Sequence, residues 1–135
     1  HYTELKKSLR GIYFKKKYHV TFYSNMADKN KRYYITHPQR SFFRTILNFF
    51  QSFQILLKER PKLIISTGAD VTVATIILGK LFFGTHVIFV ESSANILKPT
   101  LTGRISYIFA DLFIIQFKEL FKFYPKAILS KGFLH

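Results

Sequence analysis

The chain has 135 residues, of which 48% are hydrophobic, and it contains no cysteine. This length fits a single domain, 1–135, and the apolar content excludes a disordered tail, while the lack of cysteine excludes disulfides and thiolate metal sites. The 21 Lys and Arg residues against 7 Asp and Glu residues give a net charge of +14, so the surface attracts polyanions: nucleic acid, anionic lipid or phosphorylated substrates.

Short apolar runs, typical of strands, alternate along the chain with longer helical patterns. The stretch Lys17–Ser24 alternates its side chains as a half-buried strand does. Four compact runs predict strands covered on both faces, the last of them more weakly: residues 62–67, 86–91, 112–116 and 126–130. The polar, tyrosine-rich stretch Asn25–Gln39 predicts a loop.

Helical spacing predicts helices between these strands, at residues 41–59, 70–82, 103–109 and 117–123. The strand–helix–strand order predicts an α/β domain with a parallel sheet, right-handed crossovers and helices on both faces. Ligands of such sheets bind beyond the carboxyl ends of the strands. We therefore expect the strand ends at Ser66, Glu91 and Gln116 to open onto one edge.

The helix predicted at residues 41–59 is apolar around more than half its circumference. Its main stripe consists of Phe42, Ile46, Phe49, Phe53 and Leu56. Beside this stripe lie Phe43, Leu47 and Phe50. Its basic flanks are Arg40, Arg44, Lys58 and Arg60. A membrane-interfacial surface is one interpretation of this pattern, but burial between the sheet and its neighbours is commoner, and we favour burial.

The turn Ser66–Ala69 joins a predicted strand to a helix through small residues. Backbone N–H groups at a helix N-terminus can bind phosphate. The favoured alternative is a helix cap by Thr67 or Asp70, with Gly68 permitting the tight turn. Neither a Walker loop nor a GxGxxG motif is present, so the sequence predicts no cofactor.

Glu91 ends an apolar run in a chain that has few acids. A carboxylate at a strand end can act as a general base or hold a substrate hydroxyl. An ion pair with Lys98 or Arg104 that fixes the loop is an equal alternative on spacing alone. The five histidines are scattered, without HxH or HxxxH spacing, so no metal site is predicted.

The basic residues are dispersed, and no recognition-helix, RRM or KH signature accompanies them. Net charge alone would suit nucleic acid, but without such a signature we predict no nucleic-acid partner. Charge by itself usually reflects a solvated surface, and attraction to an anionic membrane is the other interpretation.

From Arg60 onward the chain resembles a specific family. The segments that carry the resemblance are "RPKLIISTGA", "GKLFFGTHVIFVES", "KPTLTGR", "ADLFIIQ" and "YPKA". They are similar to polysaccharide-biosynthesis glycosyltransferase subunits of the PssD/CpsF type. The eukaryotic relative of that type is the membrane-anchoring subunit of the split N-acetylglucosamine transferase of asparagine-linked glycosylation. "HYTEL", His1–Leu5, resembles the end of the family's Gly-Gly-His loop, which implies that the first strand and two glycines are cut away.

The resemblance implies a Rossmann-like domain that forms the N-terminal, acceptor-binding half of a GT-B glycosyltransferase, similar to the MurG type. The implied acceptor is a polyprenyl-diphosphate-linked saccharide, and the implied partner is a separate donor-binding glycosyltransferase subunit. The implied location is the cytoplasmic face of the cell membrane, reached peripherally or through an upstream anchor. The chain alone should then be inactive or weakly active, and a scaffold that only tethers and activates a catalytic partner is the alternative function.

The resemblance also implies roles for residues of this sequence. His1 is similar to the family's loop histidine and Glu91 to the acid of its third loop, so these two are the candidate catalytic residues. The candidates for binding the acceptor and its phosphates are Thr67, Gly68 and Ala69 at the second loop, with Lys98 and Arg104.

Overall fold

The computed structural model describes residue 5 and residues 9–21, 31–35, 41–91 and 98–130. Strands β1 (Tyr18–Thr21) and β2 (Lys31–Tyr34) form a parallel pair. The other elements follow in chain order: α1 (Phe42–Glu59), β3 (Leu63–Ser66), α2 (Thr72–Phe83), β4 (His86–Val90), α3 (Leu101–Phe109), β5 (Leu112–Ile115), a 3₁₀ helix (Lys118–Lys122) and β6 (Ile128–Leu129).

A second parallel sheet has the order β3-β4-β5-β6. Helix α2 connects β3 to β4, and α3 connects β4 to β5, which confirms the parallel α/β architecture expected from the sequence. In the register, Ser66 lies opposite Phe89, and Val90 lies opposite Ile114. The ends of β3, β4 and β5 therefore lie at one edge, here called the carboxyl edge.

The predicted loop at Asn25–Gln39 is wrong where β2 lies. Tyr33 of β2 packs edge-on against Tyr18 of β1, with ring centroids 5.6 Å apart, and its hydroxyl donates to Glu59. Tyrosine favours strands because its ring packs on a pleated, half-buried surface. The tyrosines of this stretch are thus a strand signal that the polarity of their neighbours obscured.

The main core lies around the four-stranded sheet. It consists of Ile76, Val87, Phe89, Phe113, Ile115, Leu120, Tyr124 and Ala127. Phe89 and Phe113, on adjacent strands, stack with centroids 5.0 Å apart. A smaller cluster of Ile35, Ile55 and Val71 joins α1 to the two-stranded sheet. The main core fixes the strands whose ends form the carboxyl edge, and the smaller cluster holds α1 on the two-stranded sheet.

The first two buried residues of helix α1, Asn48 and Ser52, are polar. The Asn48 amide donates to the Val71 carbonyl at 3.4 Å, and the Thr75 hydroxyl donates to Ser52 at 3.1 Å. Except for the half-buried Phe49, the large apolar residues of the N-terminal half face outward. They form what we call the aromatic face: Phe42, Phe43, Ile46, Leu47 and Phe50, which are 44–81% exposed. The favoured interpretation of burial is therefore wrong for this half of the helix, because α2 offers α1 polar partners.

In the ranges that the structure describes, no helix is both long enough and apolar enough to cross a membrane.

Candidate functional site

The turn after β3 is organised by Ser66. Its hydroxyl shares a hydrogen bond of 2.8 Å with the Thr72 hydroxyl and accepts from the Gly68 N–H at 3.4 Å. Gly68 has a φ of +95°, a conformation that glycine adopts without strain, so the tight turn is confirmed. Helix α2 begins without a side-chain cap, so the predicted cap by Thr67 or Asp70 is wrong.

Asp70 links this turn to the start of α3. Its carboxylate accepts a hydrogen bond of 2.6 Å from the Thr102 hydroxyl, 32 residues further along the chain. The Asp70 side chain thus contacts α3 rather than capping α2. It also ties the end of β3 to the helix that follows β4.

Glu91 comes directly after β4, and its side chain is completely buried. The hydroxyl of Thr100 donates to its Oε1 at 3.1 Å, and that of Tyr124 donates to its Oε2 at 2.8 Å. The Glu91 backbone is held too: its carbonyl accepts from the Gln116 amide at 3.0 Å, and its N–H donates to Ile114 at 2.8 Å. Glu91 is thus held by the start of α3, by the end of β5 and by the residues after the 3₁₀ helix.

The first turn of α3 rests directly on this carboxylate. Thr100 caps α3 by accepting from the Gly103 N–H at 2.8 Å. A Cβ on Gly103 would lie 1.9 Å from Oε2 of Glu91, so only glycine allows the helix to approach this closely. A negative charge is also favourable at a helix N-terminus, where the backbone N–H groups point.

Tyr124 is a hydrogen-bond donor at this site. Burial, followed by its hydrogen bond to Glu91, raises the pKa of the Tyr124 hydroxyl well above its ordinary value of 10.0. The hydroxyl therefore keeps its proton, and with it the contact to Glu91, throughout the physiological pH range.

Two exposed cations lie at the start of α3. Lys98 precedes the cap by two residues and Arg104 lies in the first turn, and both side chains are exposed. The Arg104 N–H donates to the Thr100 carbonyl at 3.0 Å, so the cap residue also sets the backbone that carries the guanidinium. An anion in front of this turn would meet both charges.

Of the other predicted site residues, three lie in the turn after β3 and one lies outside the described residues. Thr67 is buried, whereas Gly68 and Ala69 are half-buried in the turn after β3. The structure thus brings this turn, Glu91 and the start of α3 to one edge, as the sequence predicted for the strand ends. His1 lies outside the described residues. Among those that are described, no three His, Asp or Glu side chains gather where they would hold a metal ion.

Sequence reasoning missed three residues of this cluster, which are Thr100, Gly103 and Tyr124. All of them lie within the segments "KPTLTGR" and "YPKA", on which the family resemblance was based. Their position in those segments was the one sequence signal that could have pointed to these three residues. A polar residue just before a helix and a glycine in its first turn do not by themselves point to a distant carboxylate.

The family model described as "Oligosaccharide biosynthesis protein Alg14 like" matches residues 4–133. The "UDP-N-acetylglucosamine--N-acetylmuramyl-(pentapeptide) pyrophosphoryl-undecaprenol N-acetylglucosamine transferase" of Borreliella afzelii (strain PKo) is 30% identical over 129 residues, which cover 94% of this chain and 34% of that protein. The "UDP-N-acetylglucosamine transferase subunit ALG14" of Rattus norvegicus is 29% identical over 93 residues, or 65% of this chain and 43% of the rat protein. The chain thus spans less than half the length of either relative. No solved structure matches it.

Proposed function

Because the chain belongs to the Alg14-like family of oligosaccharide biosynthesis proteins, we propose that it is the acceptor-binding and membrane-recruiting subunit of a two-chain glycosyltransferase. The enzyme would transfer a sugar from a nucleotide-sugar to a polyprenyl-diphosphate-linked saccharide. The names of the relatives support this class of reaction: one transfers N-acetylglucosamine to a pyrophosphoryl-undecaprenol acceptor, and the other is a subunit of such a transferase. We further propose a product of the polysaccharide type, as in PssD/CpsF proteins.

The observation that carries the proposal is the organisation of the carboxyl edge around the start of α3. The Asp70–Thr102 and Glu91–Thr100 hydrogen bonds join the ends of β3 and β4 to this helix. The exposed Lys98 and Arg104 then stand at a helix N-terminus, where a diphosphate finds both positive charge and backbone N–H donors. The turn Thr67–Ala69 borders the same edge and completes the proposed acceptor site.

In the proposed reaction the acceptor hydroxyl attacks the anomeric carbon of the nucleotide-sugar. The new glycosidic bond forms as the bond to the nucleotide diphosphate breaks, and the hydroxyl proton passes to a base. His1 and Glu91 are the two candidates for that base on this chain. The nucleotide-sugar would bind to the partner chain, so this chain alone is expected to have no activity or very little.

The aromatic face of α1 supports recruitment to a membrane. The Asn48–Val71 hydrogen bond holds the buried side of α1 beside the turn after β3, and the aromatic face is exposed on the outward side of the helix. Exposed aromatic and aliphatic side chains interspersed with Arg44, on a chain of net charge +14, suit a surface of anionic lipid. A lipid-linked acceptor would then meet the site from the membrane to which the protein is bound, on the cytoplasmic face.

Sugar transfer by the pair of chains tests this function. The full chain and its donor-binding partner are co-expressed, and transfer from a labelled nucleotide-sugar to a polyprenyl-diphosphate saccharide in anionic vesicles is measured. We expect the chains to co-purify and the pair to transfer sugar, while each chain alone does so weakly or not at all. Failure of the chains to associate, or no transfer to any such acceptor, would contradict the proposal.

The alternative of a scaffold is separated by substituting the exposed cations. Lys98→Ala and Arg104→Ala should leave the complex intact, because both side chains are exposed, and should slow transfer. Normal turnover in an intact complex of the double variant would favour a chain that only tethers and activates its partner.

A further inference from the structure

The surroundings of the Glu91 carboxylate are those of a buried structural residue. Its side chain is completely buried, and each carboxylate oxygen accepts a hydroxyl donor, Thr100 at Oε1 and Tyr124 at Oε2. The Cα of Gly103 lies so close that a methyl group there would overlap Oε2. The first turn of α3 therefore covers this carboxylate on the side where the helix begins.

A proton acceptor needs a different environment. It must approach the substrate hydroxyl to within roughly 2.6–3.2 Å, directly or through one water molecule. Two groups of the described residues already lie at that distance from the Glu91 carboxylate, the hydroxyls of Thr100 and Tyr124. Substrate could reach the carboxylate only after these partners and the helix turn had moved away.

We propose that Glu91 is a positioning residue, whose carboxylate, held by Thr100 and Tyr124, fixes the first turn of α3 and through it the cation Arg104. Thr100 connects Glu91 to Arg104. Its hydroxyl donates to the Glu91 carboxylate, and its carbonyl accepts from the Arg104 N–H at 3.0 Å. The role of Arg104 in acceptor binding rests on the proposed function. Of the two base candidates, His1 then remains.

Hydrogen exchange tests this positioning role without any assay of activity. In Glu91→Gln an amide replaces an acceptor-only carboxylate, so it cannot accept from both hydroxyls unless one of them reverses its role. In Tyr124→Phe the donor to Oε2 is removed. Each variant should raise the exchange rates of the amides of residues 103–106 by about tenfold, the loss expected for a hydrogen bond to a charged group.

Tyr107→Phe is the matched control. Tyr107 packs against Phe113 and Tyr124, and its hydroxyl accepts from the Lys126 N–H at 2.9 Å. Like Tyr124→Phe, the substitution Tyr107→Phe removes one tyrosine hydroxyl from this core, but that hydroxyl does not donate to Glu91. Exchange at residues 103–106 should stay at the wild-type rate. Unchanged exchange in Glu91→Gln and Tyr124→Phe, or an equal rise in Tyr107→Phe, would overturn the inference.

Kinetics of the two-chain enzyme then separate positioning from proton transfer. A positioning role predicts that Glu91→Gln and Tyr124→Phe each raise the acceptor KM about tenfold while kcat changes less than about threefold. The double variant should be no worse than either single variant, since both break one network. Thr100→Ser, which keeps the hydroxyl, should retain the wild-type KM, and Thr100→Val should not.

A role of Glu91 as the proton acceptor predicts a different kinetic result. If Glu91 takes the proton, Glu91→Gln lowers kcat by about 10²–10⁴-fold, and Tyr124→Phe does not reproduce the loss. That outcome overturns the inference. A wild-type pair that transfers no sugar contradicts the proposed function instead, and the exchange rates still decide whether Glu91 anchors α3. Should Glu91→Gln fail to fold, Tyr124→Phe and Thr100→Val decide by the same readouts.

Discussion

Gly103 is a position where helix propensity and packing make opposite demands. Alanine in a helix is ordinarily more stable than glycine by about 0.5–1 kcal/mol. Here the added Cβ would lie 1.9 Å from Oε2 of Glu91 and 2.6 Å from the Tyr124 hydroxyl, neither of which can move without breaking hydrogen bonds. Gly103→Ala should therefore lower the free energy of unfolding by about 1–3 kcal/mol, measured by urea denaturation.

Gly79→Ala provides the control, because Gly79 also lies inside a helix. Its new Cβ would meet Cδ1 of Ile64 at 2.6 Å, the end of a flexible side chain that can turn aside. The loss should be smaller than at Gly103. Equal losses at the two positions would show that the Glu91 contact is not the cause.

The sequence placed Glu91 at the carboxyl edge but left its role open. Its position followed from an apolar run that ends in an acid, which is a local pattern. Its partners are 9 and 33 residues further along the chain, at Thr100 and Tyr124. Contacts over such separations are set by the packing of α3 and the 3₁₀ segment on the sheet, and spacing alone does not encode them.

For helix α1, too, the sequence predicted the local pattern but not the tertiary contacts. Its periodicity and bounds were correctly predicted, because the apolar spacing and Pro61 mark them in the sequence. Which face is covered depends on the neighbour. Here the polar side of α1 meets Thr75 of α2 and the carbonyl of Val71, the residue before α2. The apolar side consequently faces outward in the N-terminal half of the helix.

The aromatic face gives a prediction about membrane binding. Phe43→Glu and Phe50→Glu introduce a charge among exposed apolar side chains, so they should each weaken binding to anionic vesicles about tenfold or more. The thermal unfolding midpoint should hardly change, since both residues are exposed. Vesicle co-sedimentation measures the binding.

Ile108→Glu is the matched control for charge. Ile108 is 76% exposed on α3, near the end of that helix away from the carboxyl edge. Its substitution changes the net charge equally and should lower binding only slightly. Similar losses in all three variants would point to net charge alone, and the aromatic face would then have no special part in recruitment.

Glu59 joins the end of α1 to the two-stranded sheet. Hydrogen bonds from Lys16 and Lys31, followed by that from Tyr33, lower the pKa of the Glu59 carboxyl from 4.5 to about 2. A lowered carboxyl pKa stabilises the folded chain above the unfolded pKa, and this contribution is lost as the pH falls toward the folded pKa.

Glu59→Gln should accordingly lower the unfolding midpoint by a constant amount above pH 5. The difference from the wild type should shrink between about pH 4.5 and pH 2 as the wild-type carboxyl becomes protonated. Thermal melts across this range measure it. A difference that does not depend on pH would mean that the ionised carboxylate contributes nothing to the junction.

For the whole molecule, the sequence predicted the class of fold and the order of most elements. The buried strands were readable because strands covered on both faces are continuous apolar runs. The two-stranded sheet was less readable, since β2 is polar and half-exposed. The absence of a first strand stays a prediction.

Membership of the Alg14-like family confirms the broad part of the resemblance found in the sequence. The narrower assignment to polysaccharide synthesis remains a proposal, as do the donor sugar and the partner chain. These properties depend on a nucleotide-sugar pocket that we assign to the other subunit, so the residues of this chain do not encode them.

We propose that this chain forms the acceptor side of the enzyme, and this is tested by finding which substrate's KM responds to Arg104. Initial rates of the two-chain enzyme are measured for wild type and Arg104→Ala while acceptor and nucleotide-sugar are varied separately. We expect the acceptor KM to rise about tenfold or more, because one charge-assisted contact to the diphosphate is lost, and the KM for nucleotide-sugar to stay unchanged. A raised KM for nucleotide-sugar with an unchanged acceptor KM would contradict it.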